Sequence, residues 1–311
     1  KHQEAALTLF KWIIQHETDP HSQRMAISQY RLFINRISKD EEENVKAIVN
    51  FSSYWSNLPN ELKLDALLAL ATLSHITSNH AYTGFFSEHL IKLCLDLFGT
   101  KSAPLCPNLN PHYPLSNPAV YYYGQAFLLK QAYLTDIGHF QEAITYPEKY
   151  ADLSWLFNLD QLGFSYVQKF NLYAQANIFN LNLMLGKSEV LDGYESFLIK
   201  HPTEILPSII FVLDSADHFG FEIDGFLNRF YSLIQSYSEF SKGYYTEQIT
   251  RNRYVLFLQK LSVYHYNRGR YEESLQAAMQ SWELSQELNN HSHLRMFASL
   301  AVMYNTPGKE A

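Results

Sequence analysis

The residues best placed to do chemistry in this 311-residue chain are amides, arginines and histidines. Between Lys169 and Leu185 lie Asn171, Gln175, Asn177, Asn180 and Asn182. Tyr173, Asn177, Asn180 and Met184 follow one another at spacings of four, three and four, so a helix carries them on one face. An asparagine both donates and accepts, so that face can clamp a peptide backbone without selecting its side chains; equally, the amides can bridge adjacent helices or face water. Tyr122, Gln125 and Leu129 are spaced in the same way, as are Gln259, Val263 and Tyr266. Arg251 and Arg253 begin the last of these stretches, where a guanidinium can hold a carboxylate in a bidentate pair or meet Glu247 or water.

Catalytic and metal chemistry have no comparable support. There is no glycine-rich phosphate loop, nucleophile elbow or zinc-protease helix motif. His291 and His293 are two apart and point to different sides of a helix, while His139, His218 and His265 read as structural histidines. Cys94, between Leu93 and Leu95, reads as a small buried hydrophobe, and Cys106 stands alone among prolines. No catalytic residue, metal ligand or cofactor is therefore expected.

These residues need helices to position them. Hydrophobic residues make up 47% of the chain and charged residues 18%, enough to bury a large core. Gly and Pro together number 23, below the background of roughly 12%, which favours helices over a β-sandwich or barrel. Apolar residues recur at helical spacing over most of the length, in segments the size of half a helical hairpin. Ser38 before the acidic run 40–43 reads as a helix start. A long irregular segment holds Pro104, Pro107, Pro111, Pro114 and Pro118, as a connector between helical subdomains or a binding lid. The expected organisation is helical hairpins over 1–98, a proline-rich connector over 99–118 and a repeat region over 119–311.

The net charge of −7 gives no footprint for nucleic acid, so these residues are not expected to hold DNA themselves. Neither a membrane span nor a secretion leader is visible, and a reducing, cytoplasmic home is expected. The chain begins at Lys1, and a segment preceding it is expected.

Leu258, Leu261, Ser262, Tyr266, Gly269, Tyr271, Ser274, Ser281 and Leu284 resemble the tetratricopeptide pattern, in which small residues let two helices approach and a glycine takes the turn between them. Tyr133, Gly138, Phe140, Glu142 and Ala143 give a second match, with a longer turn, and the stretch from Asn177 to Leu191 with Gly186 a third. The first hundred residues show helical hairpins without the signature. The implied fold is all-α, a right-handed superhelix of antiparallel helix hairpins, a tetratricopeptide-like solenoid.

The stretches Ala26–Arg31, Tyr121–Gln125, Tyr150–Trp155, Ala174–Asn177 and His201–Pro207 extend the resemblance. Together they look like the C-terminal region of Bacillus-type transcriptional regulators, in which a phage-repressor-like helix-turn-helix precedes a tetratricopeptide-like array. That family is related in architecture to Gram-positive receptors for short signalling peptides. The resemblance implies a non-enzymatic, ligand-sensing regulatory region that binds a short peptide or small ligand, forms a homodimer, and reaches DNA only through a helix-turn-helix absent here. On the concave surface of such an array the expected ligand contacts are Tyr122, Gln125, Tyr173, Asn177, Asn180, Arg253, Gln259 and Tyr266. A protein–protein scaffold and a helical-repeat response-regulator phosphatase are the alternative functions, the latter without an identifiable catalytic Gln or Glu.

Overall fold

The computed structural model describes residues 2–38, 40–235 and 247–288, and these are overwhelmingly α-helical. The chain divides into two compact units, Lys1–Asn177 and Ile178–Ala311. The first holds α1 (His2–His16), α2 (Gln23–Arg36), α3 (Glu41–Phe51), α4 (Asn60–Ile76), α5 (His80–Phe98), α6 (Ala119–Asp136) and the short α7 (Phe140–Ala143) and α8 (Pro147–Tyr150). Helix α9 (Gln161–Met184) begins in the first unit and ends in the second. The second continues with α10 (Leu191–Lys200), α11 (Ile205–Phe219), α12 (Asp224–Gln235), α13 (Glu247–Tyr266) and α14 (Tyr271–Leu288). The helix expected over His293–Tyr304, and the His291/His293 pair, lie outside the described residues.

One backbone device recurs where a long helix ends and the chain turns back. Gly138, Gly186 and Gly269 have φ of 78°, 81° and 72°, the left-handed region in which a side chain is strained. In each case the next residue donates its N–H to the carbonyl five positions earlier: His139 to Leu134, Lys187 to Asn182 and Arg270 to His265, at 2.8, 3.1 and 3.0 Å. This closes the helix end in a Schellman motif and satisfies carbonyls that would otherwise lack partners. The same turn stands between α4 and α5, where Asn79 donates to Ser74 at 2.8 Å. There the left-handed residue is Ser78, with φ of 54°. The same turn thus occurs within the first hundred residues, where the sequence pattern shows no signature.

Small residues flank two of these turns at matching offsets. Ser262, seven before Gly269, and Ser274, five after it, are fully buried, with their hydroxyls 3.1 Å apart. Ala71 and Thr83 hold the same offsets from Ser78 and are also fully buried. With no bulk at the crossing, α4 packs closely on α5 and α13 on α14. Gly124 on α6 serves the same end against α9: a Cβ there would meet the ring of Phe170 at 2.3 Å.

The proline-rich segment lies inside the first unit and does not divide two subdomains. Its start is a small antiparallel ladder pairing Gly99–Thr100 with Ala103–Pro104, a strand element in a chain read as having none. Beyond it, two carboxylates of α4 fasten the segment. Glu61 accepts from the Asn110 N–H and Asp65 accepts from Ser116 Oγ at 2.7 Å and from the Tyr122 hydroxyl. These bonds stand in for the backbone ladder that prolines cannot form. α6 then returns directly onto α4 and α5, and Tyr122, Val120 and Ala126 join Leu64, Leu67 and Phe86 in one core.

One local reading shifts. The third helix is capped by Asp40, whose Oδ1 accepts from the Glu43 N–H at 3.0 Å, while Ser38 Oγ accepts from Asp40 N one step earlier. Over 140–153, where Pro147 predicts a break in the helical pattern, the chain forms the separate α7 and α8, the second starting at that proline.

Candidate functional site

In the second unit, α12, α13 and α14 enclose a cavity of about 270 Å³. Its position follows from periodicity. Tyr254, Leu258, Leu261 and His265 succeed one another at spacings of four, three and four on α13, so one face of the helix lines it. Glu273, Gln276, Ala277 and Gln280 line it from one face of α14, and Asp224, Leu227, Asn228 and Tyr231 from one face of α12, each set at spacings of three, one and three. The floor is apolar and buried, whereas Asn228, Tyr231, Glu273, Gln276 and Gln280 are exposed at the rim.

Charge is concentrated at the end of the cavity nearest the turn. Arg270 meets Asp224 in a bidentate pair, Nη1 to Oδ2 at 2.6 Å and Nη2 to Oδ1 at 2.9 Å. The Tyr264 hydroxyl donates toward Asp224 Oδ1 at 3.0 Å and toward Glu222 Oε1 at 3.1 Å, and accepts from the Ile223 N–H at 3.2 Å. The Arg268 guanidinium stacks over the Tyr264 ring, 3.6 Å from its centre, and donates to the Phe221 carbonyl. This clasp ties the start of α12 to the α13–α14 turn. The Arg270 pairing holds the Asp224 carboxyl below its ordinary value, and burial pushes the Tyr264 hydroxyl up to about 12.

His265 lies between this clasp and the apolar floor. Burial lowers the pKa of its imidazole, and the nearby Arg270 charge adds to the shift. Its Nδ1 is buried without a hydrogen-bond partner among the described residues, as is Arg270 Nε. An unmatched acceptor or donor of this kind carries a desolvation cost that a bound polar group can relieve.

The residues expected to contact ligand are dispersed. Tyr122 is fully buried in the first unit, bonded to Asp65, and Gln125 is half-buried on α6. Tyr173 is half-buried, packing edge-on against Phe170 at 6.3 Å. Asn177 donates to the Tyr150 hydroxyl at 2.9 Å, and that hydroxyl donates to Gln131 Oε1, forming a buried polar chain. Asn180, buried in the second unit, accepts from the Tyr194 hydroxyl at 2.6 Å. The two central amides thus bridge helices, each inside its own unit. On α13, Gln259 is buried, while Arg253 and Tyr266 are half-buried, with Tyr266 set edge-on to Tyr271 at 5.4 Å. None of these three lines the cavity; sequence reasoning selected one row of α13, and the cavity opens on another.

His265 is the cavity residue that carried a signal, a histidine in an otherwise apolar row. Among the described residues, no group of three or more His, Cys, Asp or Glu is arranged to hold a metal ion, and no helix is long and apolar enough to cross a membrane. No protein-family model and no curated protein matches the chain.

Proposed function

We propose that this chain is a ligand-sensing regulatory region, a tetratricopeptide-like array that binds a short peptide at the α12–α14 cavity. The observation that carries the reading is the cavity itself, with its buried apolar floor, its amide-bearing rim and, at one end, an imidazole Nδ1 that has no partner among the described residues. At about 270 Å³ it falls just under the roughly 300–1,000 Å³ of pockets that enclose a whole small molecule. It suits one or two anchor side chains of an extended ligand whose backbone crosses the open rim. Asn228, Gln276 and Gln280 offer that backbone both donors and acceptors.

The recurrent left-handed turns and buried small residues support the array. Its resemblance to sensor regions of Bacillus-type regulators supports a role in transcription, exercised through a DNA-binding domain outside this chain. Ligand entering between α12 and the α13–α14 pair would favour one spacing of those helices over another, and that differential affinity is what a regulator relays.

Calorimetry with synthetic five- to ten-residue peptides copied from the source organism's secreted pro-peptides tests the proposal. At least one should bind, and Gln276→Ala with Gln280→Ala, both exposed, should weaken it about tenfold. Absence of binding by every peptide, or equal binding by the double variant, overturns the assignment.

A further inference from the structure

A second cleft, in the first unit, has a different chemistry and is independent of the peptide reading. It measures about 620 Å³ and is floored by Leu95, Tyr123, Phe127 and Trp155. The rings form a chain of contacts: Tyr123 to Phe127 at 5.1 Å, and Tyr123 edge-on to Trp155 at 5.2 Å. Tyr123 is also fixed at its far end, where its hydroxyl donates to the Gly99 carbonyl at 3.3 Å. The aromatic floor is therefore rigid before anything binds, which lowers the ordering cost of binding.

The wall over this floor is the small ladder that opens the proline-rich segment. From its tip Lys101 reaches Asp152, Nζ to Oδ2 at 2.6 Å. Asp152 also accepts from the Ser154 N–H at 3.1 Å and the Ser154 hydroxyl at 2.6 Å. The Lys101 and Ser154 bonds push its carboxyl down to about 2, so it remains anionic across the ordinary pH range. These two rim charges are spent on each other.

The other two rim charges stand side by side on α8. Glu148 and Lys149 both line the cleft, are exposed, and make no ion pair among the described residues. Their juxtaposition over an aromatic floor matches a molecule carrying opposite charges on one carbon and an apolar group on the same carbon. We propose that this cleft binds a free α-amino acid with a large apolar side chain. Its carboxylate faces Lys149, its ammonium faces Glu148, and its side chain lies on Trp155, Tyr123 and Phe127. The volume is within the range of pockets that enclose small ligands.

Ligand-observed NMR on the full chain tests this with three probes of one shape: L-phenylalanine, phenethylamine, which lacks the carboxylate, and 3-phenylpropionate, which lacks the ammonium. Phenylalanine should bind saturably and about tenfold more tightly than either singly charged probe. Lys149→Glu, at an exposed site, should weaken phenylalanine and 3-phenylpropionate about tenfold while leaving phenethylamine as tight or tighter. Trp155→Leu should weaken all three, with circular dichroism confirming the fold. Absence of saturable phenylalanine binding, equal affinity for the three probes, or indifference of phenylalanine to Lys149→Glu overturns the proposal.

Discussion

The α4–α5 hairpin of the first unit and the α13–α14 hairpin of the second turn on the same backbone and cross at small buried residues with matching offsets, yet their surroundings differ. In the first, Leu64, Leu67, Leu70 and Leu73 on α4 are all buried, and α5 is covered by α6. In the second, α11 packs on α13, while the row Tyr254, Leu258, Leu261 and His265 faces a cavity ending in a charged clasp. The turn and the small residues define how two helices meet. What the hairpin can bind depends on the outward rows, which vary without disturbing the turn.

Filling the crossing points should have the largest effect. Ala71→Leu and Ser262→Leu each force a branched side chain where two helices touch, and each should cost about 2–3 kcal/mol in urea denaturation. Ala81→Leu, at an exposed position on α5, should stay within about 0.5 kcal/mol. A neutral Ser262→Leu would show that the second hairpin is not held by close approach, and the equivalence of the two would fail.

The clasp distinguishes the hairpins next. Asp224→Asn leaves Arg270 without its carboxylate and should cost about 1–2 kcal/mol, less than a buried pair because both side chains are partly exposed. The pH dependence has a definite sign. The folded-state pKa of Asp224 lies below its unfolded value of about 3.9, so the contribution is present above that value and is lost as pH falls through the folded one. Melting temperatures of the wild type and Asp224→Asn should therefore converge as pH is lowered below about 4. A gap that persists unchanged into that range would assign the effect to packing and not to charge.

Much of the helical framework was legible in the sequence because it rests on local rules. Glycine is the residue that takes a left-handed turn without strain, so Gly138, Gly186 and Gly269 mark three hairpins directly. Ser78 makes the same turn, but serine carries no such mark, and the hairpin it closes was recognised only as paired helices. Glu61 and Asp65, four apart on a leucine-rich helix, were an overlooked signal: carboxylates in an apolar stretch require partners, and theirs are in the proline-rich segment.

The candidate binding surface was less legible for a different reason. Helical spacing reveals which residues share a face but not what that face meets. The row Tyr173, Asn177, Asn180 and Met184 is real, yet the hydroxyls that capture its two amides come from Tyr150 and Tyr194, residues whose approach no spacing rule gives. Conversely, Leu258 and Leu261 read only as apolar positions of the tetratricopeptide pattern, because an apolar residue lining a cavity obeys the same period as one facing another helix.

The smallest predicted effects bear most directly on whether the two turns are one device. At Gly269 an added Cβ meets nothing within 4 Å among the described residues, so Gly269→Ala isolates the strain of φ at 72° and should cost about 1 kcal/mol. Ser78 already bears that strain at φ of 54°, and Ser78→Gly should release it. Glycine's greater freedom in the unfolded chain offsets part of the gain, leaving about 0.5 kcal/mol of stabilisation. Opposite signs at the two positions, measured by the same denaturant series, are what a shared turn requires. If Ser78→Gly destabilised the protein, the serine side chain would be contributing something the glycines do not, and the α4–α5 turn would be a distinct solution that only looks alike in its backbone.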